Sequence, residues 1–193
     1  MILHLIRHGE TAYKWMADIV IWEAKDFLLT ESWIQQAINL WKKFNEQWLV
    51  FDKIISSSTP RAIQTTENTF PNREFDIVDA LKAKSSGDWE WKLKKEVYTP
   101  EYLNDVYWFI PPNGESYVMV EERAVKWINK FLLENKELNR VAIVSHDFAI
   151  KCLFLHFFQI PHSFVESLRI DNVGQFILEI NTDNKVKLLH WNV

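Results

Sequence analysis

Two histidines stand directly after apolar runs, and each has a charged neighbour. The first run, Ile2 to Ile6, leads into Arg7-His8-Gly9-Glu10-Thr11, and the second, Val141 to Val144, leads into Ser145-His146-Asp147. Short apolar runs of this kind read as buried strands. Open α/β sheets hold their ligands at the carboxyl ends of the strands. Both imidazoles are therefore candidates for nucleophilic or proton-transfer chemistry at one sheet edge. Arg7 adds a cation there. Gly9 permits close approach of a ligand to the main chain. Thr11 and its neighbouring amides can hold phosphate oxygens. A second guanidinium, Arg61, follows the run Lys53-Ile-Ile-Ser-Ser-Ser58 and the pair Thr59-Pro60. Proline fits the first turn of a helix, so Arg61 lies beside free N-terminal amides, a ready anion site.

The elements that must position these groups are legible in outline. Strands are expected near 2–7, 53–57, 74–78, 140–145, 174–180 and 185–191, the last two forming a hairpin around Thr182-Asp-Asn. Thr30 suits a helix N-cap, and Ile34, Ala37, Ile38, Trp41, Phe44 and Trp48 follow it at helical spacing. Ser116 suits another, ahead of a stripe of Val118, Val120, Ala124, Trp127, Ile128 and Phe131. Residues 147–158 form a further helix, with Asp147 in its first turn, and a short one starts at Pro161. Residues 12–28 are read as a loop lining the pocket. Residues 92–109, with Tyr98, Tyr102, Tyr107, Trp108 and Phe109, are read as a helical cap whose rings either pack as core or face substrate.

With 193 residues and 48% apolar composition the chain is expected to be one domain, residues 1–193, with a sizeable core. Net charge is −4, from 22 basic and 26 acidic residues, which leaves no case for a nucleic-acid partner. No apolar run approaches the ~18 residues of a membrane span, no secretory signal is evident, and a cytoplasmic location is the default. The one cysteine, Cys152, sits in an apolar segment and reads as a buried, inert thiol. His156, His162 and His190 fit no ligand spacing, so no metal and no other cofactor is expected. Ten tryptophans against four glycines are unusual, and the sequence offers no functional account of them.

The string Leu5-Ile-Arg-His-Gly-Glu-Thr11 resembles the signature of the histidine phosphatase superfamily, the phosphoglycerate-mutase-like proteins. Further blocks of similar character follow in family order. Leu29 to Ala37 resembles the family's helix start, with Trp33 in place of Gly. Ser57-Ser58 with Arg61-Ala62 and Gln64-Thr65 resembles its second motif. Leu81 to Glu90, Pro111 to Ser116 and Val144-Ser-His146 resemble three more. The resemblance implies a three-layer α/β sandwich with a mostly parallel central sheet and helices on both faces. It also implies a phosphatase acting on a small phosphorylated metabolite. His8 would become a phosphohistidine, Arg7 and Arg61 would grip the phosphate, and a protonated His146 would stabilise its equatorial oxygens.

Departures from the family pattern matter as much. Aligning on Gly87, Trp89 and Glu90 puts Ala83 where the family's catalytic acid stands. Asp88, Glu90 and Asp147 are the candidate substitutes, with Glu90 also expected to bind substrate. A His-Asp pair occurs in the acid-phosphatase branch, where the aspartate donates the proton; alternatively Asp147 only complements the helix dipole. Lys14 replaces the family's usual Asn, and the chain is shorter than cofactor-dependent mutases. Both points favour a phosphatase over a phosphoglycerate-type mutase. A phospholigand-binding pseudo-phosphatase is the further alternative, because of Ala83.

Overall fold

The computed structural model describes residues 1–11, 16–22, 28–181, 183 and 185–192, with Glu166 described by its backbone alone. Its centre is a six-stranded sheet: β1 (Ile2–Arg7), β2 (Lys53–Ser57), β3 (Asp76–Val78), β4 (Arg140–Ser145), β5 (Gln175–Ile180) and β6 (Val186–Trp191). The spatial order is β3-β2-β4-β1-β5-β6. The pairs β2–β3, β2–β4 and β1–β4 are parallel, whereas β5 runs antiparallel to both β1 and β6. The sheet is therefore mixed, with its parallel part on the side that carries the histidine motifs.

Side chains alternate across the pleat, so successive residues of one strand enter different cores. Leu3 and Leu5 of β1, with Val141 and Ile143 of β4, face one cluster. That cluster is closed by α5 (Tyr117–Glu134), through Ala124, Ile128 and Phe131, and by α6 (Asp147–Phe158), through Ile150 and Leu153. Ile6, Ala142 and Val144 face the other cluster, closed by Leu40 and Phe44 of α1 (Glu31–Glu46) and Ala62 of α2 (Pro60–Thr69). Helices thus cover both faces, as the resemblance implies. Seven consecutive residues of α6, Ala149 to Leu155, are buried. A helix buried all round in this way has protein on every side, and its one charged buried residue, Lys151, pairs with Asp147.

Ser116 caps α5 as its sequence suggests, its hydroxyl accepting from the Met119 N–H at 3.3 Å. Thr30 stands at the N-cap of α1, but its side chain makes no capping bond and meets the Ser32 hydroxyl instead. The expected cap helix over 92–109 is absent. Two short pieces, α3 (Lys94–Val97) and α4 (Pro100–Asn104), stand in its place. Thr99 and Pro100 restart the helix, because proline belongs in a first turn and not in a helix interior. The segment at His162–Ser167 is 3-10 in geometry. Most rings of 89–109 form a satellite core: Trp89 stacks on Phe109 at 5.2 Å and meets Tyr102 edge-on at 5.1 Å. Trp22 joins this cluster, which accounts for part of the tryptophan excess. Lys14 and most of the neighbouring pocket loop, and Thr182 and Asn184 of the hairpin turn, lie outside the described residues. Among the described residues no helix is long and apolar enough to cross a membrane.

Candidate active site

Parallel pairing in one register makes the site. Arg7 of β1 lies opposite Ser145 of β4, so the next residue of each strand, His8 and His146, emerges at the same edge. Their ring centroids are 4.9 Å apart. The His8 N–H donates to the Ser145 carbonyl at 2.9 Å, and Asn172 donates its side-chain amide to the His8 carbonyl at 3.0 Å. Arg61, in the first turn of α2, reaches both imidazoles: its Nε–H meets His8 Nε2 at 3.2 Å and its Nη2 meets His146 Nδ1 at 3.3 Å. The same Nη2 donates to the Trp22 carbonyl at 3.1 Å.

These partners assign the ring protons. His8 Nδ1–H donates to the Gly9 carbonyl at 2.6 Å, which leaves the Nε2 lone pair facing Arg61 and the cavity. His146 accepts at Nδ1 and donates from Nε2 to Ser57 Oγ at 2.9 Å or Thr59 Oγ1 at 3.0 Å. Burial first, and then the Arg61 guanidinium, hold both imidazoles well below the usual histidine range. His8 is therefore neutral, with its Nε2 lone pair toward Arg61 and the cavity. His146 is also neutral here, whereas the sequence reading takes it as protonated; it is packed among Arg61, His8 and two hydroxyls, where a further positive charge is disfavoured.

A cavity of about 350 Å³ is lined by Arg7, His8, Glu10, Thr11, Trp22, Arg61, Ala83, Lys84, Tyr117, His146, Asp147, Phe148 and Asn172, among others. Arg7 donates from Nη1 to the Ile170 carbonyl at 2.6 Å, while its buried Nε has no partner among the described residues. Such an atom is an open position for an anion oxygen. A wider cleft of about 770 Å³ adjoins it, sharing Arg7, Glu10, Asp147 and Asn172 and adding Trp33 and Lys151. Arg7, His8, Arg61, His146, Asp147 and Thr11 thus converge as expected.

Three expected residues play other parts. Gly9 is not on the cavity wall: its N–H donates to Thr65 Oγ1 at 3.0 Å, and a Cβ there would lie 3.0 Å from a Leu29 methyl. Its small size serves packing against Leu29, and its carbonyl fixes the His8 tautomer. Glu90 also stays off the wall. Its carboxylate accepts from the Ser86 hydroxyl and, at 3.3 Å, from the Trp22 N–H, which fastens Trp22 over the site. Asp88 is exposed and bonded to Asn113. Asp147 does line the cavity, but both oxygens face cations: Oδ1 is 3.7 Å from Arg7 Nη1, and Oδ2 is 2.7 Å from Lys151 Nζ one helical turn on.

Sequence reasoning missed Arg123 and Lys84. Arg123 of α5 is bidentate to Glu115, with both contacts at 3.0 Å. It also donates to the Ala80 carbonyl at 2.7 Å and the Ala83 carbonyl at 3.0 Å, while Glu115 accepts from the Ser85 N–H at 3.0 Å. Lys84 is pinned between these anchors. It is 2% exposed, and its Nζ lies 4.2 Å from the ring centroids of both Trp22 and Tyr117. A lysine directly after Ala83, where the resemblance leads one to expect an acid, was the available signal.

Known proteins share this fold. A solved structure described as a putative alpha-ribazole-5'-P phosphatase from Escherichia coli str. K-12 substr. MG1655 superposes with a TM-score of 0.88 at 26% identity, covering 100% of this chain and 96% of that one. The 2,3-bisphosphoglycerate-dependent phosphoglycerate mutase of Buchnera aphidicola subsp. Schizaphis graminum is 25% identical over 96% of both chains. The 6-phosphofructo-2-kinase/fructose-2,6-bisphosphatase of Caenorhabditis elegans is 25% identical over 83% of this chain, which spans only 35% of that longer protein. The family model described as histidine phosphatase superfamily (branch 1) matches residues 3–193, so the chain belongs to that superfamily.

Proposed function

We propose that the protein is a phosphatase that hydrolyses a small phosphomonoester through a phosphohistidine on His8. The observation that carries this reading is the meeting of a neutral His8, Arg61 and His146 with the open Nε of Arg7 in one cavity. A phosphomonoester dianion presents oxygens that two guanidiniums can grip and neutralise as charge develops. His8 Nε2 then attacks phosphorus in line, the phosphorus–oxygen ester bond breaks, and water later releases phosphate from the imidazole. The hydroxyls of Ser57 and Thr59 hold the His146 ring in place. Asp147, with one oxygen on Arg7 and the other on Lys151, is taken here as the carboxylate that aims Arg7 at the phosphate.

Relatives with phosphoglycerate mutase activity match the chain nearly end to end, so the acceptor is either water or a second hydroxyl. Water is favoured by Lys14, which stands where the family pattern has Asn. The test is hydrolysis of p-nitrophenyl phosphate by wild type and His8→Ala, with acid-labile, alkali-stable label from a ³²P-phosphomonoester sought on the protein. Turnover and labelling that both vanish in His8→Ala support the reading. Equal background rates in the two proteins refute it and leave a phospholigand-binding module. Interconversion of 2- and 3-phosphoglycerate without net phosphate release makes it a mutase. A panel of phosphorylated metabolites then identifies the substrate.

A further inference from the structure

We propose that Lys84 is the proton donor to the leaving oxygen, in place of the carboxylic acid that Ala83 lacks. The inference rests on the phosphatase reading above and adds the group that reading leaves out. An alkoxide is a poor leaving group, so an alkyl phosphate needs a proton donor or a cation at its leaving oxygen. Ala83 reaches the cavity wall with only a methyl. Asp147 has both oxygens facing cations, and Glu90 is turned away onto Ser86 and Trp22. Lys84 is on the wall, adjacent in sequence to the vacant position.

Its placement is built. Arg123 holds the Ala80 and Ala83 carbonyls on one side of it, and Glu115 holds the Ser85 N–H on the other. The faces of Trp22 and Tyr117 fix the ammonium from two directions. Burying a third cation in a cavity that already holds two guanidiniums is electrostatically unfavourable, and such arrangements concentrate at functional sites. The proton balance closes with no added reactant. As the phosphorus–nitrogen bond to His8 forms and the ester bond breaks, the ammonium passes a proton to the leaving oxygen and becomes an amine. In the second half the amine takes a proton from water as its oxygen attacks phosphorus. The bond to His8 breaks, phosphate departs and the ammonium is restored.

The experiment compares kcat/KM for p-nitrophenyl phosphate, phenyl phosphate and glycerol phosphate across wild type, Lys84→Met, Asp147→Asn and Ala83→Glu/Lys84→Met. Nitrophenolate leaves without a proton, so the loss in Lys84→Met should be smallest with that substrate, and an unchanged circular-dichroism spectrum and Tm show that the variant is folded. With glycerol phosphate it should lose about 10²–10⁴-fold, the range of a general acid. Ala83→Glu/Lys84→Met should recover much of that loss. A loss equal across all three substrates makes Lys84 structural and overturns the proposal. A leaving-group-selective loss in Asp147→Asn but not in Lys84→Met transfers the role to Asp147. Wild type no faster than His8→Ala on any substrate overturns the phosphatase reading and this inference with it; an active wild type whose leaving-group dependence ignores Lys84 overturns the inference alone.

Discussion

Removing Arg123 should loosen the loop that carries Ala83 and Lys84 and weaken the whole domain. Its side chain is 18% exposed and that of Glu115 is 17% exposed, so both charges lie largely out of water. Truncation to methionine leaves the Glu115 carboxylate without its bidentate partner and frees the Ala80 and Ala83 carbonyls. Breaking a buried ion pair from one side costs roughly 3–5 kcal/mol, and the residual exposure here argues for the lower end, about 3 kcal/mol. For a domain of this size that lowers Tm by roughly 6–12 °C. Thermal and urea unfolding, followed by circular dichroism, measure it. Glu115→Gln and the Arg123→Met/Glu115→Gln double variant complete a cycle, in which the double variant should lose clearly less than the two single losses combined. A single-variant loss under about 1 kcal/mol, or strict additivity, would refute the claim that this pair braces the loop. A loss of stability with unchanged kcat/KM would show that the loop keeps its place without the brace.

Two further expectations concern buried groups elsewhere. His4 donates from Nδ1 to Gln175 at 2.9 Å and accepts from Arg140 at 2.7 Å; burial first, and then the Arg140 charge, lower it from 6.5 to about 4. Its folded value lies below its unfolded one, so the unfolded chain takes up the proton first. Stability should therefore decline as pH falls from 6.5 to about 4, by up to about 3 kcal/mol, and this part of the decline should be missing in His4→Gln. Urea midpoints at pH 7, 5.5 and 4.5 test it, and identical slopes for the two proteins would sink it. Cys152 is fully buried, and burial pushes its thiol up to about 12. An aromatic disulfide reagent should leave it unmodified in the native protein at pH 8 and react at once in denaturant; rapid native labelling would contradict the packing described for α6.

Much of this protein was legible along the chain. The apolar runs ending at Arg7 and Ser145 marked strands whose observed limits match the expected ones, because a short buried strand leaves a contiguous apolar signal. The motif residues Arg7, His8, Arg61 and His146 were identifiable from local context, since each follows a strand or opens a helix. The cap over residues 92–109 was misread because a charged stretch followed by aromatic residues does not reveal a restart at Thr99-Pro100. Long-range contacts decided the rest. Only the β1–β4 register shows that His8 meets His146, and only their packing around Arg61 shows that both imidazoles are neutral. Glu90 lost the place expected for it, and Lys84, for which nothing was expected, lines the cavity, for the same reason. Glu90 is drawn aside by Ser86 and Trp22, which are near in space through the folding of two loops, while Lys84 reaches the cavity because Arg123, some forty residues away, holds the neighbouring carbonyls. Residue types and strand ends are local properties that a sequence displays directly; which side chain faces the cavity depends on partners distant in the chain, and those exist only once the sheet and helices have closed around it.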